Sequence, residues 1–375
     1  MVTLDPAAAA VLGPVRIVGT GLLGTSIGLG LRSMGVQVLL SDPSPTALAL
    51  ARDVGAGRPD PADGDPAGDP SISLIVVGAP PDVTAAVVVT ELARHPTATV
   101  TDVASVKSGI WAEVQAAGAD LSRYVGGHPM AGRERSGPVA SRADLFLGRP
   151  WVVCPGGAPD RVETVRRLAA ALGATAVLMP ALEHDDAVAL ISHVPQIAAS
   201  LVAARLVKGS DPAVGLAGQG LRDVTRIANS DPTLWAQILA ANAVPVGRVL
   251  REIREDLDGL IGALDALSGP PEGAVGARAA VAQVVADGRT GRERIPGKHG
   301  EPMTTYAVVT TLLPDKAGQL TRLFDDIGSA GINVEEFGLE HAPGQKVGLA
   351  AVSVLPAARV ALEKALVERG WQVVG

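Results

Sequence analysis

Residues 15–24 read VRIVGTGLLG, a short apolar strand followed by a glycine-rich turn that opens a helix ending near Gly35. Gly19 permits the tight turn, and Gly21 lets the backbone approach a pyrophosphate held by the helix N-terminus. Gly24 lets the helix pack closely on the strand. Strand, turn and helix stand in the order that dinucleotide binding requires, although a glycine-rich turn without a ligand is the alternative.

An acidic residue strengthens the nucleotide interpretation. The next predicted strand ends at Asp42, at about the 20-residue distance at which a carboxylate binds the adenosine ribose hydroxyls. Because the same charge repels a 2′-phosphate, Asp42 favours NAD over NADP. Leu22 and Leu23, inside the turn, complete the predicted cofactor-binding set.

Six apolar runs alternate with helical stretches in the first half of the chain. The predicted strands are Val15–Val18, Val36–Leu40, Leu74–Val77, Thr99–Val103, Trp151–Cys154 and Ala176–Met179. Strands of this kind separated by helices form a parallel sheet covered on both faces. We therefore expect residues 1–180 to form an α/β domain with a Rossmann-type doubly wound parallel sheet. The segment 59–70, rich in Pro, Asp and Gly, predicts a surface loop.

After Pro180 the strand pattern stops. Residues 181–287 are rich in Ala, Leu and Val and have more apolar surface than a small bundle buries, which favours an all-helical dimerisation domain and a homodimer. Residues 288–302 carry Gly, Pro and charges without periodicity and predict a linker. In residues 303–375 the patterns follow the order βαββαβ, which is ferredoxin-like.

The composition of the 375-residue chain limits its partners. A net charge of −7 argues against nucleic acid or an anionic membrane surface as a partner. No run of about 18 uncharged apolar residues occurs, which argues against a membrane span. No Lys or Arg precedes Arg16, so the basic start of a secretory signal is missing. Cys154 is the single cysteine, in a run typical of a core strand, and this fits a reducing cytoplasm.

Further blocks of sequence resemble the prephenate dehydrogenase family, in order, from residue 15 to about residue 260. They are TDVASVK at 101–107, GGHPMAGRERSG at 126–137, EHD at 183–185, SHVP at 192–195, RDVTRIA at 222–228, SDP at 230–232 and Trp235. The resemblance implies an NAD-dependent oxidative decarboxylation of prephenate, or of its amino analogue arogenate, in tyrosine biosynthesis. This chemistry requires a hydride acceptor and a base, and no metal.

The resemblance implies roles for three residues of these blocks. His128 is the expected catalytic base, because an imidazole is partly neutral at working pH and can accept the substrate hydroxyl proton. Pro129 biases the backbone of His128 towards an extended conformation. Ser105 is expected to hydrogen-bond near the substrate hydroxyl and nicotinamide, or to cap a helix from Val106 onward. Arg226 is expected to bind the substrate carboxylate through two parallel hydrogen bonds.

The family places Trp235 at the pocket wall, with a core aromatic as the alternative, and Glu134 near the pocket mouth, with an exposed loop carboxylate as the alternative. His193 is expected to orient the pocket or bind substrate. Gln196 is neutral, whereas relatives that use arogenate carry an acidic residue at this position, so the amide favours prephenate.

The sequence alone assigns His184 no role in catalysis. Together with Asp185 it could cap the start of a helix, and we rank it below His193 as a site residue.

The last domain resembles ACT domains through LPDKAGQL at 313–320 and GINVEEF at 331–337. Such domains usually pair and bind an amino acid, so Asp315, Gly318 and Asn333 are the expected effector contacts and tyrosine is the expected effector. The alternative is a dimerisation module without a ligand.

Two other classes of function compete with this interpretation. A β-hydroxyacid dehydrogenase or imine reductase also joins a Rossmann domain to a helical domain, but without the HPMAG segment beside Arg226. A non-catalytic amino-acid sensor is disfavoured because Ser105, His128 and Arg226 occur together.

Overall fold

The computed structural model describes residues 4–9, 12–65, 68–132, 137–270, 274–296, 305–341 and 347–374. The chain divides into two compact units, Met1–Ile253 and Arg254–Gly375. The division lies within one long helix, Ala243–Ser268. The domain boundaries that the sequence predicts, at residues 180 and 287, were placed where the composition changes. They do not coincide with the division between the two units and remain predictions.

An eight-stranded sheet forms the centre of the first unit. In chain order its strands are β1 Val15–Val18, β2 Val38–Ser41, β3 Arg58–Pro59, β4 Leu74–Val77, β5 Thr99–Asp102, β6 Tyr124–Pro129, β7 Pro150–Cys154 and β8 Thr175–Leu178. Their spatial order is β3-β2-β1-β4-β5-β6-β7-β8. The six predicted strands are confirmed to within two residues. The short β3 lies at the start of the predicted surface loop, and β6 adds a strand that ends just past His128.

The prediction of an entirely parallel sheet is wrong for the last two strands, β7 and β8. Strands β1 to β6 are parallel to their neighbours, but β7 pairs antiparallel with β6, with Gly127 opposite Val153, and β8 follows the direction of β7. The described part of the connection from β6 to β7, residues 130–132 and 137–149, contains no long crossover helix, and such a helix is what a parallel pair requires.

Helices cover both faces of this sheet. Those of the first unit are α1 Pro6–Ala9, α2 Leu22–Ser33, α3 Pro45–Asp53, α4 Pro81–Arg94, α5 Ser108–Ala116, α6 Pro159–Ala171, α7 Ala181–Val188, α8 Val194–Leu206, α9 Asp211–Gly215, α10 Gln219–Thr225 and α11 Pro232–Ala241, followed by the start of α12 Ala243–Ser268. Leu74 and Val76 of β4 pack into one core and Ile75 and Val77 into the other. This alternation confirms the prediction of a sheet buried on both faces.

The helical segment after residue 180 leaves much apolar surface exposed. A π-helical turn, Ala189–His193, joins α7 to α8. The continuous segment Ala181–Leu206 is long and apolar enough to cross a membrane by length and composition alone, with a mean hydropathy of 1.7 over its most apolar window. Val207 and Leu216 are each 86% exposed. Exposure of this size fits a surface that is covered by another chain.

The second unit contains a small antiparallel sheet. Its strands are β9 Ala307–Pro314, β10 Glu336–His341, β11 Val347–Val354 and β12 Val373–Val374, in the spatial order β10-β11-β9-β12. The helices are α13 Ala277–Glu293, α14 Gln319–Ser329 and α15 Arg359–Glu368. The predicted order βαββαβ is present. The predicted linker starts too early, because α13 continues to Glu293, and residues 297–302 lie outside the described residues.

Candidate active site

The turn at residues 19–24, called here the glycine turn, has little room for side chains at two positions. Gly19 has a φ of +99°, and a Cβ there would lie 2.6 Å from the backbone of Gly78. A Cβ on Gly24 would lie 2.0 Å from the carbonyl oxygen of Gly19. A Cβ on Gly21 would meet nothing within 4 Å, so the backbone there faces open space. The turn therefore combines close helix–strand packing with an accessible helix N-terminus, as a bound pyrophosphate requires.

Asp42, directly after β2, is hydrogen-bonded to this turn. Its Oδ2 accepts hydrogen bonds from the backbone N–H of Thr20 at 2.7 Å and from the Thr20 hydroxyl at 2.9 Å, and its Oδ1 accepts one from the N–H of Ser44 at 2.8 Å. A carboxylate thus lies beside the glycine turn, where the ribose of a dinucleotide would be bound. The residues present fit NAD.

The predicted catalytic residues lie at the same edge of the sheet as the glycine turn. β1, β4, β5 and β6 are parallel neighbours, so their carboxyl ends share one edge. Ser105 follows β5 and is half-buried, and His128 is near the end of β6. Ligands of open α/β sheets bind at this edge. Ser105 does not cap a helix, because α5 begins only at Ser108.

His128 belongs to a short chain of hydrogen bonds, called here the histidine group, which consists of His128, His184 and Asp185. Nδ1 of His128 lies 2.8 Å from Nε2 of His184, and Nδ1 of His184 lies 2.8 Å from Oδ1 of Asp185. His184 and Asp185 are buried, whereas His128 is half-buried. Burial lowers the pKa of His128 well below its ordinary value, and positive charge on His184, Lys107 or His193 lowers that pKa further. A neutral imidazole suits a general base.

Asp185 connects this group to the start of α5. Its carboxylate accepts hydrogen bonds from the backbone N–H of Lys107 at 2.9 Å and of Ser108 at 2.8 Å, and from the Ser108 hydroxyl. The alternative that His184 and Asp185 cap a helix is therefore correct in one respect: Asp185 caps a helix, but it is α5 rather than its own. No spacing rule could reveal this, because the partners are more than 70 residues apart in the sequence.

A buried cation lies beneath His128. The ammonium group of Lys107 is paired with Asp102 and donates to the carbonyl oxygen of Gly127 at 2.7 Å. The hydroxyl of Tyr124 donates to the other carboxylate oxygen of Asp102 at 2.7 Å. These contacts fix the ends of β5 and β6 relative to each other, and with them the backbone that carries His128. None of these three side chains was predicted from the sequence as a site residue.

His193 and Trp235 form a second pair near Asp185. Nδ2 of Asn242 donates to the backbone carbonyl of Asp185 at 2.8 Å and lies 3.0 Å from Nδ1 of His193. Burial lowers the pKa of His193 to about 4. The rings of His193 and Trp235 meet edge to face with centroids 6.0 Å apart. Gln196 is buried, and its amide lies 3.5 Å from the Ser230 hydroxyl.

The remaining predicted site residues that the structure describes are largely exposed. Arg226 begins the 3₁₀ turn Arg226–Ala228 and is exposed, without an ion pair or hydrogen bond among the described residues. Glu134 lies outside the described residues. In the second unit, Gly318 precedes α14 with a φ of +84°, and Asn333 donates to Glu335 at 2.7 Å. Asp315 and Asn333 are both exposed.

The thiol of Cys154 is a core group. It is buried in β7, and burial raises its pKa to about 12. The prediction of a core strand rather than a nucleophile is consistent with this environment.

Comparison with known proteins places the chain among dehydrogenases. Residues 27–178 match the family model described as prephenate dehydrogenase, nucleotide-binding domain, and residues 180–268 match that described as prephenate dehydrogenase, dimerization domain. The chain is 38% identical to a probable prephenate dehydrogenase, NovF, of Streptomyces niveus, over 95% of this chain and 98% of the relative.

Two solved structures have the same fold over most of their length. One is prephenate dehydrogenase from A. aeolicus in complex with hydroxyphenyl propionate and NAD⁺, with a TM-score of 0.64 and 25% identity, over 76% of this chain and 98% of that one. The other is Synechocystis arogenate dehydrogenase, with a TM-score of 0.60 and 25% identity, over 74% of this chain and 99% of that one.

Proposed function

The chain belongs to the prephenate dehydrogenase family and is an NAD-dependent oxidoreductase, and on this premise we propose that His128 is the base for the oxidative decarboxylation of prephenate to 4-hydroxyphenylpyruvate. The observation that carries the proposal is the position of a neutral, half-buried imidazole at the sheet edge that also holds the glycine turn. Bound NAD supplies the hydride acceptor.

The oxidation step transfers one proton from the substrate hydroxyl to the protein. The ring carbon that bears the hydroxyl loses a hydride while His128 accepts the hydroxyl proton, and a carbonyl forms at that carbon. The bond to the ring carboxylate then breaks and carbon dioxide leaves. The electron pair of that bond enters the ring, which becomes aromatic as the carbonyl is converted to a phenolate, and a proton returns to this oxygen to give 4-hydroxyphenylpyruvate. Aromatisation supplies the driving force, so His128 needs only to be neutral and in reach.

Other residues of the site hold the substrate. Arg226 binds a substrate carboxylate, since an exposed guanidinium without an ion pair among the described residues is available for a bidentate contact. Ser105 hydrogen-bonds near the substrate hydroxyl, and Trp235 forms a pocket wall. His193 is buried against Trp235 and Asn242, which supports orientation of the pocket rather than direct contact with substrate. Glu134 is proposed for the pocket mouth on the family resemblance alone.

Prephenate rather than arogenate is the proposed substrate. Gln196 is buried and neutral, so it offers no charge to pair with the ammonium group of arogenate. The test is NADH formation by the purified protein with prephenate and with arogenate under identical conditions. We expect a higher kcat/KM with prephenate, and formation of 4-hydroxyphenylpyruvate. A preference for arogenate would contradict the role of Gln196, and no NADH with either compound would contradict the function.

A cytoplasmic homodimer is the proposed form of the enzyme. The match to the dimerization domain and the exposed apolar side chains after residue 200 support pairing through the helical segment. Sedimentation of the full chain as a dimer at low concentration is the expected result.

The last proposed element is regulation by tyrosine through residues 303–375, as an ACT domain. The ferredoxin-like order of strands and helices supports it, as does the location of Gly318 at the start of α14. Asp315→Ala combined with Asn333→Ala in the full chain should weaken inhibition by tyrosine, whereas the control Lys364→Ala on α15 should not. A coupling of roughly 1 to 3 kcal/mol is typical for such control. Identical inhibition curves for all three proteins would leave this domain with dimerisation or another ligand.

A further inference from the structure

The histidine group ends in a carboxylate, and this determines the direction of its hydrogen bonds. We propose that His184 and Asp185 are positioning residues that hold His128 as the Nδ1–H tautomer, so that its Nε2 carries the free lone pair that accepts the substrate proton. This inference rests on the proposed role of His128 as the base.

The carboxyl group of Asp185 fixes the direction of the first hydrogen bond. Burial alone would raise the pKa of this carboxyl group, but hydrogen bonds from His184, from Ser108 and from the backbone N–H of Lys107 outweigh burial and lower it. The group is therefore ionised, and a carboxylate only accepts hydrogen bonds. Of the two groups in the contact of 2.8 Å between Asp185 and His184, the Nδ1 of His184 must be the donor.

The direction of the hydrogen bond between His184 and His128 follows from that of the first. A neutral imidazole that carries its hydrogen on Nδ1 has an acceptor at Nε2. In the contact of 2.8 Å between the two rings, Nε2 of His184 therefore accepts and Nδ1 of His128 donates. The remaining nitrogen of His128, Nε2, then has no hydrogen. The neutral base is thus held in the one tautomer in which Nε2 can take a proton.

In the alternative arrangement, Nε2 of His184 also carries a proton and is the donor in the contact with His128. That proton would have to be donated to Nδ1 of His128, which would place the hydrogen of His128 on Nε2 and remove the base. Among the residues that the structure describes, the charged and titratable groups that act on His128 and His193 include Asp185, Lys107 and His184. The ammonium of Lys107 disfavours more positive charge on His128, and burial has the same effect on both His128 and His193.

The positioning residues are themselves held by contacts from the start of α5 and from Asn242. Two backbone N–H groups at the start of α5 bind the carboxylate of Asp185, and Asn242 binds its backbone carbonyl. His184 has no exposed surface. Little reorientation is left to these side chains, as the positioning of a catalytic base requires.

Two substitutions of His184 separate positioning from simple packing. His184→Leu fills the space but offers no acceptor to Nδ1 of His128, and we expect kcat to fall by about 10²-fold, with KM for prephenate and the affinity for NAD nearly unchanged. His184→Gln can place an amide oxygen near the position of Nε2, and we expect it to recover about tenfold of this loss. The control is His95→Leu, which removes another buried histidine of the same unit and should leave kcat unchanged.

Equal kcat values for the Leu and Gln variants, or a Leu variant with the activity of the wild type, would overturn the proposal. Should both variants fail to fold, ¹⁵N NMR of the imidazoles in the folded wild-type protein gives the same decision. A hydrogen on Nδ1 of His128 at neutral pH supports the proposal, and one on Nε2 refutes it. The tautomer can be measured even if the wild-type protein does not turn over prephenate, so failure of the proposed function is distinguishable from failure of this inference.

Discussion

The glycine turn and the histidine group lie at the same edge of one sheet but are assembled in different ways. The glycine turn is made by consecutive residues, and even its anchor Asp42 binds Thr20 only 22 residues away. The histidine group joins residues 56 positions apart, and Asp185 reaches its backbone partner Lys107 across 78 positions. The glycine turn depends on the absence of side chains at Gly19 and Gly24, whereas the histidine group depends on side chains that the fold brings together. Substitutions should therefore damage them differently.

The largest effect is expected at the histidine group. His128→Asn removes the base but keeps a polar side chain of similar reach, and kcat should fall by about 10² to 10⁴-fold. NAD binding should be retained, because the glycine turn is untouched. Steady-state NADH formation together with NAD titration by fluorescence measures both quantities. A variant that turns over near the wild-type rate would exclude His128 as the base.

Arg226→Ala tests the proposed contact with the substrate carboxylate, which belongs neither to the glycine turn nor to the histidine group. Loss of a charge-assisted grip on the substrate carboxylate should raise KM for prephenate by an amount that corresponds to about 1.5 to 3 kcal/mol, with a smaller change in kcat. Arg222→Ala, four positions earlier and also exposed, is the matched control. If KM does not change, another cation holds the substrate.

Two glycine substitutions should separate packing from ligand approach within the glycine turn. Gly24→Ala places a Cβ 2.0 Å from the carbonyl oxygen of Gly19, so the protein should lose about 1 to 3 kcal/mol of folding free energy. Gly21→Ala faces open space and should unfold at the wild-type temperature, yet bind NAD more weakly because the methyl group blocks the pyrophosphate. Thermal unfolding with and without NAD tests both, and equal NAD affinity for Gly21→Ala and the wild type would contradict the assignment.

Asp42 should set the choice of cofactor. The wild type is expected to prefer NAD over NADP, because a carboxylate at the ribose repels a 2′-phosphate. Asp42→Asn keeps an oxygen that can accept from Thr20 but loses the charge, and the preference should fall by about tenfold, or roughly 1.4 kcal/mol. The ratio of kcat/KM values for the two cofactors measures it. A wild type that prefers NADP would show that Asp42 does not discriminate.

The smallest effect concerns pH. An ordinary histidine base is half protonated near pH 6.5 and would lose about half of kcat/KM there. Because the pKa of His128 is lowered, its neutral form persists below that pH, and activity should be lost only on further acidification. We therefore expect kcat/KM to change by less than about twofold between pH 8 and 6.5. An acid-side loss of kcat/KM centred above pH 6.5 would contradict the lowered pKa of His128.

Much of the fold was predictable because its signals are local. A strand such as Leu74–Val77 is apolar on both faces, and a parallel sheet between two helical layers is an environment that buries both. The direction of β7 was not predictable in this way, because the composition of a buried strand does not show whether its neighbour runs parallel or antiparallel to it. The helical character of residues 288–293 was missed because Gly288 and Gly291 suggested a linker, although α13 continues through both.

The sequence by itself determined the glycine turn, the position of Asp42 after β2 and the candidate base His128, since each depends on neighbours along the chain or on a motif. Only the tertiary structure decided that His184 contacts His128, and that Asp185 caps α5 while it binds His184. The physical reason is that a hydrogen bond between side chains depends on distance and direction in space, and no sequence spacing encodes where α7 meets β6 and α5.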